Sequence, residues 1–135
     1  MRTIKFRGRD ENGKWWYGDL RHTMRVYGQA HILIVDNGME ELRLTEYWSD
    51  RIDPETVGQF TGLFDRNKKE IYEGDILQLY GEDSGAVEVR FVRGVFAFLW
   101  KGSLDEELPT SAPTHVWAKV IGNIHDNPEL LKGGE

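Results

Sequence analysis

DENGKWWYGDL, residues 10–20, returns later in the chain as DRNKKEIYEGDI, residues 65–76. Asp10, Asn12, Lys14 and Tyr17 align with Asp65, Asn67, Lys69 and Tyr72. After one inserted residue, Glu73, the triplet Gly18, Asp19, Leu20 aligns with Gly74, Asp75, Ile76. Each copy reads as a turn, a short strand, a glycine bend and the next strand, and the insertion fits a bulge. Asp65-x-Asn67 suits a turn capped by its own side chain. Duplication of a small β-unit would give this echo, and so would the recurrence of Gly, Asp and Asn at tight turns.

Working outward, short apolar runs alternate with turn residues along the whole chain. Ile4 and Phe6 share a face in Arg2–Arg7, and Asn12-Gly13 then reads as a two-residue hairpin turn into Lys14–Tyr17. A second Asn-Gly, Asn37-Gly38, separates His31–Val35 from Met39–Leu44 and predicts another hairpin. Ile76–Tyr80 follows a glycine. Val87, Val89 and Phe91 alternate with Glu88 and Arg90, Arg93-Gly94 turns the chain, and Val95–Trp100 returns. Val116–Ile124 is the last strand. Helix is restricted to single turns where Asp53-Pro54 and Asn127-Pro128 offer a cap followed by proline. The polar stretch Lys101–Thr114 reads as a loop. The fold class is therefore all-β and predominantly antiparallel, with minor short helical turns. The 135 residues suit a single domain (1–135) that can divide near Ile52 into two packed β-subdomains, about 1–52 and 53–135.

Composition excludes whole classes of chemistry. There is no cysteine, so zinc fingers, iron–sulfur clusters, thiol nucleophiles and disulfide scaffolds are out. The longest apolar run is Val95–Trp100, far short of the roughly 20 residues that span a bilayer as a helix, and the N-terminus lacks a signal-peptide core. A cytoplasmic protein with no membrane partner is expected. His22, His31, His115 and His125 have no ligand spacing. The turn at Asp65 fails as a calcium loop at Lys69, Glu70 and Ile76. Neither a phosphate loop nor a G-x-S-x-G elbow occurs. Glu70, Glu73 and Asp75 read as solvated charges guarding a strand edge. No cofactor, metal or catalytic residue is expected, and the chain is expected not to be an enzyme.

Charge and aromatics point to binding. The net charge is −6, yet residues 1–31 hold seven Lys and Arg against three Asp and Glu, while residues 32–135 hold ten against twenty. Arg2, Lys5, Arg7, Arg9 and Lys14, beside Trp15–Tyr17, could contact nucleic acid. The acidic remainder argues against that partner, and a basic strand paired with an acidic body is the simpler reading. In Val95–Trp100 both faces are apolar, and so are both faces of Trp15–Tyr17, which demands additional cover. Trp16, Phe96, Phe98 and Trp100 are therefore the candidate interface of a homo-oligomer.

The opening IKFRGRDENGKWWYGDL, the centre DPETVGQFTGLFDRNKKEIYEGD (residues 53–75) and the close VIGNIHDNPELL resemble, in order and over nearly the full chain, the YopX family of phage and prophage proteins. The resemblance implies a β-rich fold with SH3-like small-barrel character and a place in the bacterial host cytoplasm. It brings no established biochemical activity and no catalytic residues. With no chemistry legible in the residues, the expected role is that of an accessory protein that binds a phage or host protein, or itself; a nucleic-acid-binding small barrel is the alternative. The signature residues Gly58, Gly62, Tyr72, Gly74, Asp75, Gly122 and Asn123 read as scaffold: glycines for bends, Asp75 capping its own turn, Tyr72 sending its hydroxyl to a backbone group, and Gly122-Asn123 breaking the last strand with a bulge.

Overall fold

Turn chemistry and alternation are realised as strands throughout. A computed structural model describes residues 3–26, 29–40, 43–48, 51–79, 86–100, 107–108 and 118–131. Among these, the regular elements are eleven β-strands and two 3-10 turns, Pro54–Thr56 and Pro128–Leu131. The strands are β1 (Phe6–Arg9), β2 (Trp15–Val26), β3 (Gln29–Glu40), β4 (Arg43–Trp48), β5 (Gly58–Phe64), β6 (Glu70–Tyr72), β7 (Asp75–Gln78), β8 (Ala86–Val92), β9 (Val95–Trp100), β10 (Glu107–Leu108) and β11 (Lys119–Asn123). Every register given for a strand pair is antiparallel.

The chain forms two units, Met1–Phe60 and Thr61–Glu135. The boundary lies beyond the expected Ile52 because residues 53–60 are bonded to β1. Asp53 N–H donates to Arg9 O at 2.9 Å, and Phe60 N–H donates to Lys5 O at 2.8 Å. Strand order in the first unit is β4-β3-β2-β1-β5, and β5 leads on to β6. Ile52 is buried against β1, where a Cβ on Gly8 would lie 2.5 Å from its Cγ2. The Thr56 hydroxyl locks the 3-10 turn, donating to Asp53 O at 2.7 Å while accepting Arg9 N–H at 2.8 Å.

The second unit carries the order β10-β9-β8-β7-β11. Its core is Ile71, Leu77, Leu79, Val87, Val89, Phe98 and Ala118, with Leu63, Trp100 and Val120 packed against it. Register explains the set. Leu77 faces Val87, Val87 faces Trp100, and Val89 faces Phe98, so alternate residues of three strands share one face. Burying each such side chain contributes about 1.5–3 kcal/mol. On the other face Ile76, Glu88 and Leu99 stand in register and are also buried. The Glu88 carboxylate is held there by both Nε and Nη2 of Arg90, at 2.9 and 2.8 Å.

Several sequence expectations are corrected. Asn37-Gly38 is not a turn but lies within β3, where Asn37 faces Glu46 and Gly38 faces Thr45; the reversal falls between Glu40 and Arg43. Asn12-Gly13 belongs to a three-residue loop between the bonded pair Asp10 and Lys14, in which only Gly13 takes positive φ. Such a loop closes a hairpin with a bulge. The stretch Lys101–Thr114 contains β10, which pairs with β9. The last strand is described from Lys119 to Asn123, while Val116 and Trp117 fall outside the described residues. Neither strand order closes into a barrel among the described residues.

Candidate interaction surfaces

The two echoed turns are geometric copies. Asp10 Oδ1 accepts the N–H of Asn12 at 2.8 Å and of Lys14 at 2.9 Å. Asp65 Oδ1 accepts the N–H of Asn67 at 2.8 Å and of Lys69 at 2.9 Å. The fourth position is left-handed in both: Gly13 at φ 83° and Lys68 at φ 65°. The remaining carboxylate oxygens differ in target. Asp10 Oδ2 accepts the Trp16 indole N–H at 2.9 Å, and Asp65 Oδ2 accepts Val120 N–H at 3.0 Å, tying its turn to β11. The Trp16 indole, ahead of opposing burial and the Lys14 and Asn12 amides, holds Asp10 below the usual carboxylate range. Burial pushes Asp65 up, but the amides of Val120, Lys69 and Asn67 together outweigh it and leave Asp65 low as well. Both carboxylates serve as permanent acceptors, which makes them poor proton donors near neutrality.

The basic segment lies along aromatic rings. Arg7 and Arg9 of β1 alternate with Lys5 just ahead of it, with Tyr17 opposite Arg7 and Trp15 opposite Arg9. The Arg7 guanidinium sits 4.9 Å and that of Arg9 5.9 Å from the Trp15 ring centre; Lys5 lies 5.8 Å from Phe60, and Lys14 4.2 Å from Trp16. Arg7 is only 6% exposed, so it leaves the set of expected nucleic-acid contacts; burial against aromatics makes it structural. Arg2 lies outside the described residues. A cleft of about 570 Å³ nearby is lined by Arg9, Glu11, Arg51, Ile52, Asp53 and Pro54 among others. Its acids are already engaged: Asp53 caps Glu55 N–H at 3.0 Å, and Glu11 faces Arg51 at 3.9 Å.

The expected interface residues separate. Phe98 is fully buried, because its face of β9 builds the core, and it is corrected from interface to core. Trp100 packs against the same core. Trp16 is half-buried, fixed by Asp10 and Lys14. Phe96 is half-buried and meets Phe91 edge to face, with ring centres 5.1 Å apart. Phe91 and Val95, which composition did not single out, are 51% and 54% exposed. Pairing with β7 reaches Glu88, pairing with β10 reaches Phe98, and Gly74 N–H donates to Val89 O at 2.7 Å. Among the described residues, Arg90–Ala97 therefore stands beyond its neighbours as a two-stranded tip. Its turn, Arg93 at φ 49° and Gly94 at φ 82°, has the two positive angles that a tight hairpin needs. Distance from neighbouring strands is the missing signal: in sequence, Phe91 alternates like Val87 and Val89.

The signature residues occupy structural positions. Gly58 is buried opposite Arg7, and Gly62 and Gly74 take φ of 86° and 93°. Asp75 Oδ2 accepts Tyr72 N–H at 2.7 Å. The Tyr72 hydroxyl donates to Glu70 Oε1 at 3.1 Å. β11 carries an irregularity between Val120 and Gly122. A Cβ on Gly122 would lie 2.5 Å from Asn127 Oδ1, and Asn123 Oδ1 gathers the N–H groups of His125 and Asp126 at 3.0 and 2.9 Å. Among the described residues no group of three metal-ligating side chains occurs, and no helix is long and apolar enough to cross a membrane.

A family model described as YopX protein matches residues 5–132. A protein of Enterococcus faecalis with a crystal structure is 24% identical, with a TM-score of 0.55, over 97% of this chain and 99% of its own. The YopX protein of Bacillus subtilis, also known from a crystal structure, is 19% identical with a TM-score of 0.54 over the full length of both. No curated protein matches the chain.

Proposed function

The chain belongs to the YopX family, and from that premise we propose that it is a phage or prophage accessory protein, acting in the cytoplasm of a bacterial host by binding protein rather than by catalysis. The observation that carries the reading is the Arg90–Ala97 tip. The apolar row that builds the core, Val87 and Val89 with Phe98 and Trp100, continues past it to Phe91 and Phe96, where Phe91 is 51% exposed. An aromatic row that outruns its own core is the kind of surface that protein partners cover. The SH3-like part of the reading attaches to the second unit, whose five antiparallel strands and kinked last strand suit a small open barrel.

A second reading, nucleic-acid binding, draws on Lys5, Arg9 and Lys14 beside Trp15 and the 45%-exposed Tyr17. One experiment separates the two. Tagged protein is used to retrieve partners from nuclease-treated host extract, comparing the wild type with Phe91→Ser and with a Lys5→Glu, Arg9→Glu pair. A protein lost only with Phe91→Ser supports the proposal. Binding to single strands at ~50 mM salt that disappears by ~200 mM, and with the glutamate pair, would replace it with the second reading.

A further inference from the structure

We infer that the Asp65 turn and the adjoining part of β11 form a basic corner that docks a short acidic segment of a partner protein. The inference rests on the chain being a protein-binding module but not on the tip, and it adds a second surface. Arg66, Lys68 and Lys69 follow one another closely in the turn, and all are exposed. Lys119 joins them from β11. Arg66 N–H donates to Ala118 O at 2.9 Å and Asp65 Oδ2 accepts Val120 N–H at 3.0 Å. Lys119 therefore stands between two contacts to the turn, about 5 Å of backbone spacing away. Ala118 belongs to the core and Val120 packs against it, so alternation turns Lys119 outward. Phe64 leads into the turn and is 46% exposed, while Leu63 packs on the core. Among the described residues, Arg66, Lys68 and Lys119 have no ion-pair partner. The acids of the corner are engaged within the fold: Asp65 receives three amides, and Glu70 accepts the Tyr72 hydroxyl.

The first turn shows that folding does not require these cations. The same backbone is built at Asp10 with Glu11 in the place of Arg66 and Gly13 in the place of Lys68. Residues 10–14 carry two acids and one base, a charge of −1, whereas residues 65–69 carry one acid and three bases, a charge of +2. Lys68 also holds φ at 65°, a left-handed backbone that disfavours any residue with a side chain. Like charges gathered on a strained turn, and absent from its structural copy, are what an external anion would recognise. Charge also decides the kind of anion. The chain carries −6 overall, and residues 32–135 hold twenty acids against ten bases. A long polyanion such as nucleic acid runs past the corner into that repulsion. A segment with a few carboxylates meets mainly the corner, because charges beyond about 8 Å are screened at physiological salt. Phe64 offers such a segment an apolar contact beside its charges, and so a fixed position.

The probe is a fluorescein-labelled peptide of about ten residues, with glutamates flanking a pair of leucines, titrated with the full chain in fluorescence anisotropy at ~50 mM salt. Replacing its glutamates by glutamine should abolish binding. Exposed charge contacts are individually weak, so Arg66→Gln combined with Lys68→Gly should lower affinity about fivefold. Lys68→Gly relieves the left-handed position and keeps the fold, so that loss is not unfolding. Phe64→Ser should lower affinity at least about twofold. Arg51→Gln removes another exposed cation, in the first unit, and should leave affinity within about 1.5-fold. An equal loss with Arg51→Gln, or no binding by wild type at ~1 mM chain, overturns the inference. Tighter binding of a thymidine oligonucleotide of about ten residues, lost with the Arg66→Gln, Lys68→Gly pair, also overturns it and assigns the corner to nucleic acid. Phe91 takes no part in this titration, so its failure leaves the retrieval experiment to decide on the tip.

Discussion

Replacing Asp65 by alanine removes three acceptor contacts at once. Its carboxylate, on a residue 5% exposed, receives the amides of Asn67, Lys69 and Val120. Asn67 and Lys69 are exposed, so water can re-satisfy their amides at modest cost; Val120 is half-buried and has less access. Hydrogen bonds to a charged group contribute about 1.5–3 kcal/mol each before solvent recovers part, so a loss of about 3 kcal/mol is expected at pH 7. For a chain of this size that corresponds to a fall of roughly 10 °C in Tm. The effect depends on pH in a defined direction. The folded carboxylate titrates below its unfolded value of about 3.9, so its stabilisation is complete above about pH 5 and is lost as pH falls through the folded pKa. Calorimetry or urea unfolding of wild type and Asp65→Ala between pH 7 and pH 3 should therefore show curves that converge in acid. A difference below about 0.5 kcal/mol at pH 7, or one that widens in acid, would refute the role assigned to this turn.

Three further outcomes follow from named contacts. Lys68→Gly should stabilise by about 1 kcal/mol in thermal unfolding, because Lys68 occupies the left-handed position that Gly13 fills in the first turn. Gly122→Ala should destabilise by about 1–2 kcal/mol through its clash with Asn127, and adding Asn127→Gly should recover part of the loss in a double-mutant cycle. Phe98→Ala should cost about 3–5 kcal/mol, whereas Phe91→Ser should change unfolding midpoints by less than about 1 kcal/mol; equal effects would mean that the tip is core.

Local chemistry made much of this molecule legible in its sequence. Alternation at Val87–Phe91, the Arg93-Gly94 turn and the capped prolines at 54 and 128 are decided within a few residues, because turn and strand preferences act at short range. The echo of Asp10 and Asp65 is of the same kind: an Asp two and four residues ahead of two amides bends the chain similarly wherever it occurs. Family membership was legible too, since it rests on residue order over residues 5–132. Tertiary structure decided the rest. Asn37-Gly38 had the best turn chemistry in its region, yet pairing with Thr45 and Glu46 holds it in a strand, because a continuous ladder with β4 outweighs local preference. Phe91 and Phe98 look equivalent in sequence. Phe98 is core because its row is flanked by neighbouring strands, and Phe91 is surface because β7 stops short of it. Burial depends on what lies beside a residue in space, and for a strand that neighbour is set by pairing distant in sequence.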